Sequence, residues 1–188
     1  MRRSELVLVR VDIFFRKHLL MRWIAVIVPV VIACIAALLL NQQKVLWHVT
    51  EPGMTLPDVR AVLPAAVPPA QPKRLGNGLS LGLVAPNVSN LDRAFHAELF
   101  FDDNGLQQVL LLPTRLLAVP AAMMEFDELR QAASRRYGRE LPVISTPSAD
   151  VMAEARWMAG SVTVTLRVEK RGALAAITMT YEASRDHS

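Results

Sequence analysis

The sequence predicts an α+β fold: an N-terminal single transmembrane helix followed by a two-layer domain of two helix-strand-strand-strand units. Three observations predict it. A basic segment precedes a long uncharged apolar run within the first forty residues. Beyond residue 52, short helix signals alternate with stretches of period-two hydrophobicity. That alternation goes round twice, over 53–113 and again over 123–183, which suggests tandem units without detectable sequence identity between them.

Residues 1–23 form the basic segment, with six Lys or Arg side chains against Glu5 and Asp12. Residues 24–40 follow with no charge, enough at about 1.5 Å rise per residue to cross a bilayer core near its lower limit. The positive-inside rule places the N-terminus in the cytoplasm and the rest of the chain outside. A competing reading exists, because Val31-Ile32-Ala33-Cys34 fits a lipoprotein acylation signal. Six further apolar residues follow Cys34, where a processed lipoprotein usually has a polar tether, so the uncleaved anchor is favoured. Residues 41–188 carry fifteen charges of each sign, so the surplus of +4 belongs to the leader and argues against a nucleic-acid partner. Cys34 is the only cysteine, and arginine outnumbers lysine seventeen to four, a bias typical of a GC-rich bacterial genome. The expected location is therefore the bacterial inner membrane, with the C-terminal domain periplasmic.

Residues 41–52 read as a linker, with Trp47 and His48 marking either the outer membrane interface or the domain's edge. In the domain, 53–188, Thr55 is placed to cap a helix with Pro57 and Asp58 in its first turn, and Pro64 ends it. The Pro- and Ala-rich run to Asn77-Gly78 reads as a mobile loop. Leu79, Leu81 and Leu83 alternate with Ser80 and Gly82 as a half-buried strand. A hairpin follows, turning at Asp102-Asp103-Asn104-Gly105. The second helix carries Phe126, Leu129, Ala133 and Tyr137 on one face, and Gly138 and Pro142 stop it. Three strands are then expected over residues 153–160, 161–170 and 173–182, the last two joined at Lys170-Arg171-Gly172.

Gly53-Met54-Thr55 with Val59 and Leu63, and Phe101-Asp102 with Gly105 in the hairpin, resemble motifs of the small bacterial envelope proteins of the BamE/SmpA type. The tandem arrangement also resembles the β-lactamase-inhibitor-protein fold. Pro64 stands where a glycine often ends the family's helix, and the usual clean lipoprotein signal is missing. The resemblance implies a non-catalytic protein-binding role in the cell envelope.

No catalytic, cofactor or metal site is expected. The histidines His48, His96 and His187 lack helical metal spacing, the paired Asp102-Asp103 belong to a turn, and neither a nucleophile elbow nor a phosphate-binding loop occurs. His96 and Glu98, two apart on a strand, read as a solvated pair. The expected function is an accessory or assembly subunit of an envelope complex, with a membrane or envelope protein as partner. The alternative is a membrane-anchored, lipoprotein-like inhibitor or sensor that captures a hydrolase or an envelope ligand. Strand alternation assigns the candidate protein-binding face: His96, Glu98 and Phe100 in the first half, Thr163, Thr165, Arg167, Thr178 and Thr180 in the second. Phe100 would be its anchor, an aromatic within an otherwise polar set.

Overall fold

A computed structural model describes residues 46–143 and 149–184. Their elements run α1 (Leu56–Val62), β1 (Ser80–Asn90), β2 (Arg93–Asp102), β3 (Gly105–Pro113), β4 (Leu117–Ala118), α2 (Val119–Tyr137), β5 (Val151–Ala159), β6 (Val162–Arg171) and β7 (Leu174–Ala183). Six strands lie side by side in the order β1-β2-β3-β7-β6-β5, each antiparallel to its neighbour. The two-residue β4 makes a seventh against the start of β7.

This corrects the expected fold class. One seven-stranded antiparallel sheet with only two short helices makes the described molecule mostly β, rather than a two-layer domain of repeated units behind a transmembrane helix. The reason lies in the third strand of each half. Val109 and Leu111 on β3, and Met179 and Tyr181 on β7, are apolar and buried, and a long apolar edge left unpaired invites aggregation. The two strands satisfy each other, Val109 opposite Tyr181 and Leu111 opposite Met179, so the meanders fuse into one sheet. Among the described residues no helix is long and apolar enough to cross a membrane. The transmembrane helix expected at 24–40, the basic segment 1–23 and Cys34 lie outside those residues, so the membrane and signal-anchor assignment gains no structural support.

The core fills one face of the sheet. Helix α2 lays Ala122, Phe126, Leu129 and Ala133, spaced at helical intervals, over β5, β6 and β7. Val162, Val164, Leu166 and Val168 meet it from β6, and Ala155 and Trp157 from β5. Over the first half, the seven-residue α1 contributes Val59. Its capping box is complete, because the Thr55 hydroxyl accepts from the Asp58 amide while the Asp58 carboxylate accepts from the Thr55 amide. The Thr55 hydroxyl also donates to the Asp58 carboxylate at 2.6 Å, and that bond, followed by the one from the Thr55 amide, lowers the Asp58 carboxyl from its ordinary value. Leu46, Trp47 and Thr50, assigned to a linker by sequence, are buried, and Leu46 and Trp47 join the core cluster. Trp47 is therefore a packing residue of the domain.

Two glycines fix how strands meet. Gly82 is the extra residue of a bulge in β1, and a Cβ there would lie 2.7 Å from the Phe101 ring. The bulge turns Leu81 to one face, opposite Phe100, and Leu83 to the other, opposite Leu99, so the Leu79-Leu81-Leu83 set does not share a face. Gly105, at φ +96°, opens β3 where its backbone abuts the Gly53 carbonyl, and the Gly53 and Leu106 amides complete hydrogen bonds across that contact. The β1–β2 hairpin closes on Leu91-Asp92, both at positive φ, as a two-residue turn matching sheet twist requires.

Candidate functional site

The face of the sheet opposite the core carries every residue of the sequence-derived binding face. Cross-strand pairing sets Val84, Glu98, Leu110, Thr180, Thr165 and Arg156 in one transverse row. In the second half Thr178, Arg167 and Glu154 form a parallel row. The two groups of candidate residues thus share one continuous face. Glu98 and Thr165 are three strand spacings apart, roughly 14 Å.

Two different surfaces result. Over β1–β3 the Pro-rich segment 64–79 does not project as a mobile loop but folds back as a strap. Val67 bridges Val84 with two backbone hydrogen bonds, and the Leu81 amide donates to the Lys73 carbonyl. Lys73 then reaches over the face, its ammonium 5.6 Å from the Phe100 ring centroid and paired with Glu98. Asn77 donates to Gln108 of β3, and Leu79 is buried. Phe100 is consequently 0 % exposed and lies outside the main core cluster. This corrects its reading as an exposed anchor: it belongs to the polar side of its strand, but the strap covers it. His96 remains exposed, and Glu98 is engaged by the strap.

Over β5–β7 the described residues show no such cover. Thr163, Thr165 and Thr180 are partly exposed, Thr165 opposite Thr180, while Thr178, opposite Arg167, is 8 % exposed in the tight middle of the sheet. Short β-branched side chains give a flat surface of methyls and hydroxyls with little rotamer freedom. A charge ladder borders it. Glu154 receives Arg156 and Arg167, each at 2.7 Å, and Glu169 receives Arg171 at 2.7 Å. Burial pushes the Glu154 carboxyl upward, but hydrogen bonds and charge from Arg167, then Arg156, outweigh it and hold the pKa below the ordinary value. The Arg156 Nε is buried with no hydrogen-bond partner among the described residues.

Sequence reasoning missed a polar cluster on the core side. The Asn90 amide donates to the Tyr181 hydroxyl at 2.9 Å, and that hydroxyl is 2.9 Å from the hydroxyl of Tyr137 at the end of α2. Met179 Sδ lies 3.2 Å from the same Asn90 nitrogen. Burial, then Tyr137, raise the Tyr181 pKa well above the ordinary value, so it stays a neutral hydrogen-bonding group. Nearby, the Trp157 indole donates to Ser134. These contacts join the β1–β2 turn, α2 and β7, residues far apart in sequence, and no local motif announces them.

A cavity of about 290 Å³ opens between the β2–β3 end and the start of α2. Phe95, Leu117 and Ile177 contribute apolar lining; Arg93, Arg115 and Glu125 contribute charge. Arg93 is neutralised by Glu125 and Glu128. Within the lining, Arg93 and Glu125 pair with each other. Among the described residues no group of three or more His, Cys, Asp or Glu side chains is arranged to hold a metal ion.

No family model, curated protein or solved structure matches the chain. Nothing therefore identifies it with the BamE/SmpA-type proteins, and the mostly-β fold is not that of such a protein. The motifs that suggested the resemblance have a local physical meaning instead: Gly53-Met54 and Asn104-Gly105-Leu106 are the two backbones that meet where β3 begins.

Proposed function

We propose that the domain is a non-catalytic protein-interaction module, an accessory or assembly subunit of a bacterial envelope complex, docking a partner protein on the outer face of β5–β7. The observation that carries this reading is the contrast on that face. The chain supplies its own cover over β1–β3, while among the described residues nothing lies over the threonine rows of β6 and β7, which stand beside ion-paired arginines. The side chains there are already ordered by cross-strand packing, so little conformational entropy is lost when a partner covers them. The envelope location rests on the sequence, through the basic surplus before residue 24 and the neutral remainder.

The test places a photoreactive residue at Thr165, with a control at Arg74 on the strap, in the full chain expressed in its own cells. Capture of one protein from Thr165, stoichiometric on purification and absent from the strap position, is expected. Thr165→Arg should abolish that capture and change fold stability by no more than about 0.5 kcal/mol, as is usual for surface substitutions. Capture from the strap position but not from Thr165 would move the interface to the other half.

A further inference from the structure

We infer that β5 is a self-association edge: two copies of the chain pair their β5 strands antiparallel about a two-fold axis at Ala155, extending the sheet from one copy into the next. Among the described residues β5 is the terminal strand on its side of the sheet, hydrogen-bonded as a strand to β6 alone. The Arg156 carbonyl accepts from the Leu141 amide at 2.7 Å, outside the sheet, so Arg156 turns its backbone groups away from β6. The two-residue alternation of a strand gives Glu154 and Met158 the same orientation.

The order of the outward side chains makes this edge complementary to itself. A two-fold at Ala155 sets each residue against the one equally far on the other side. Glu154 then faces the second copy's Arg156 and Arg156 faces its Glu154, while Met158, 45 % exposed, meets the bulge at Met152, 40 % exposed, where the β5 register shifts between Val151 and Ala153. Moving the axis by one residue to Glu154 or Arg156 would set like charges opposite each other, and a half-step would turn core side chains outward. Charge thus selects one register among its neighbours. The bridge from Leu141 is the one described backbone bond across this edge, and the second copy's Glu154 amide would replace it at the Arg156 carbonyl.

The experiment measures molar mass of the full chain by light scattering over a concentration series. Wild type should form a dimer. Arg156→Glu and Glu154→Arg, each alone, should be monomeric, because each sets like charges across the axis. Mixed in equal amounts they should form a heterodimer, since one strand then carries two acids and the other two bases. Leu141→Pro, which removes the competing amide hydrogen, should shift dimerisation to lower concentration. A wild type that stays monomeric, or a dimer indifferent to both charge variants, overturns the proposal. If a charge variant fails to fold by circular dichroism, Met158→Asp gives the same reading without touching an ion pair: loss of the dimer supports the edge and retention overturns it.

Discussion

The two halves of the sheet expose opposite solutions to one problem. Each presents a three-stranded meander with an apolar face turned to the core, and each must do something with the other face. The first half carries Phe100 near the end of its central strand, and a large ring there requires cover. The strap supplies it through Lys73, Asn77 and Leu79. At comparable positions the second half carries Thr163 and Thr165, which tolerate water, and among the described residues nothing of the chain lies over them. One aromatic side chain and one Pro-rich segment thus decide which half of a continuous face is dry. The binding reading follows the bare half because the covered half has spent its surface internally.

The largest expected effect tests that difference directly. Phe100→Ala should destabilise the fold by about 4 kcal/mol, comparable with the roughly 2–5 kcal/mol expected for Leu166→Ala in the main core, because both remove a fully buried side chain. Urea unfolding of the two variants against wild type measures it. A loss under about 1 kcal/mol for Phe100→Ala would mean that the strap does not hold the ring, and the contrast between the halves would disappear.

Strand parity was legible in the sequence where alternation was unbroken. Val162 to Val168 on β6, and Ile177, Met179 and Tyr181 on β7, bury the set their spacing assigned. Parity failed at β1, because the bulge at Gly82 separates Leu81 from Leu83 and a bulge leaves no period of its own. Periodicity also says which side a residue faces and not what lies above it, so Phe100 was placed on the correct face and given the wrong environment. Trp47 was left between the membrane interface and the domain's edge for a related reason: an aromatic close behind an apolar run looks interfacial, and only tertiary packing shows it in the core. The Asn90–Tyr181–Tyr137 cluster joins three elements and had no local signature. The fold class itself was missed because element order does not reveal that β3 and β7 pair.

A second prediction concerns the junction at which the first half is closed. Gly105→Ala should cost about 2–3 kcal/mol, since it combines a positive φ with a Cβ driven into the Gly53 carbonyl. Gly172, at φ +66° in the second half's last turn, has open space around its missing Cβ, so Gly172→Ala should cost only about 1 kcal/mol from the backbone. Thermal melts of the two variants compare the junctions. Equal losses would show that backbone conformation alone, rather than the approach of Gly53, sets the cost at Gly105.

The smallest expected effect belongs to the bare half. Glu154 is held below its ordinary pKa of 4.5, because Arg167 and Arg156 more than offset the burial that would raise it. A carboxylate depressed in the folded state contributes stability above its unfolded pKa and loses that contribution as pH falls through its folded value. Wild type should therefore lose stability on acidification below 4.5 more steeply than Glu154→Gln, which keeps a hydrogen-bond acceptor for Arg167 but has no charge to titrate. The difference should stay under about 1 kcal/mol, because both arginines are partly exposed and solvent screens the pairs. Urea titrations of both proteins at a series of pH values would show the two stability curves converging in acid. Parallel curves would mean that the ion pairs beside the threonine rows do not stabilise the fold, leaving recognition or self-association as the role of those charges.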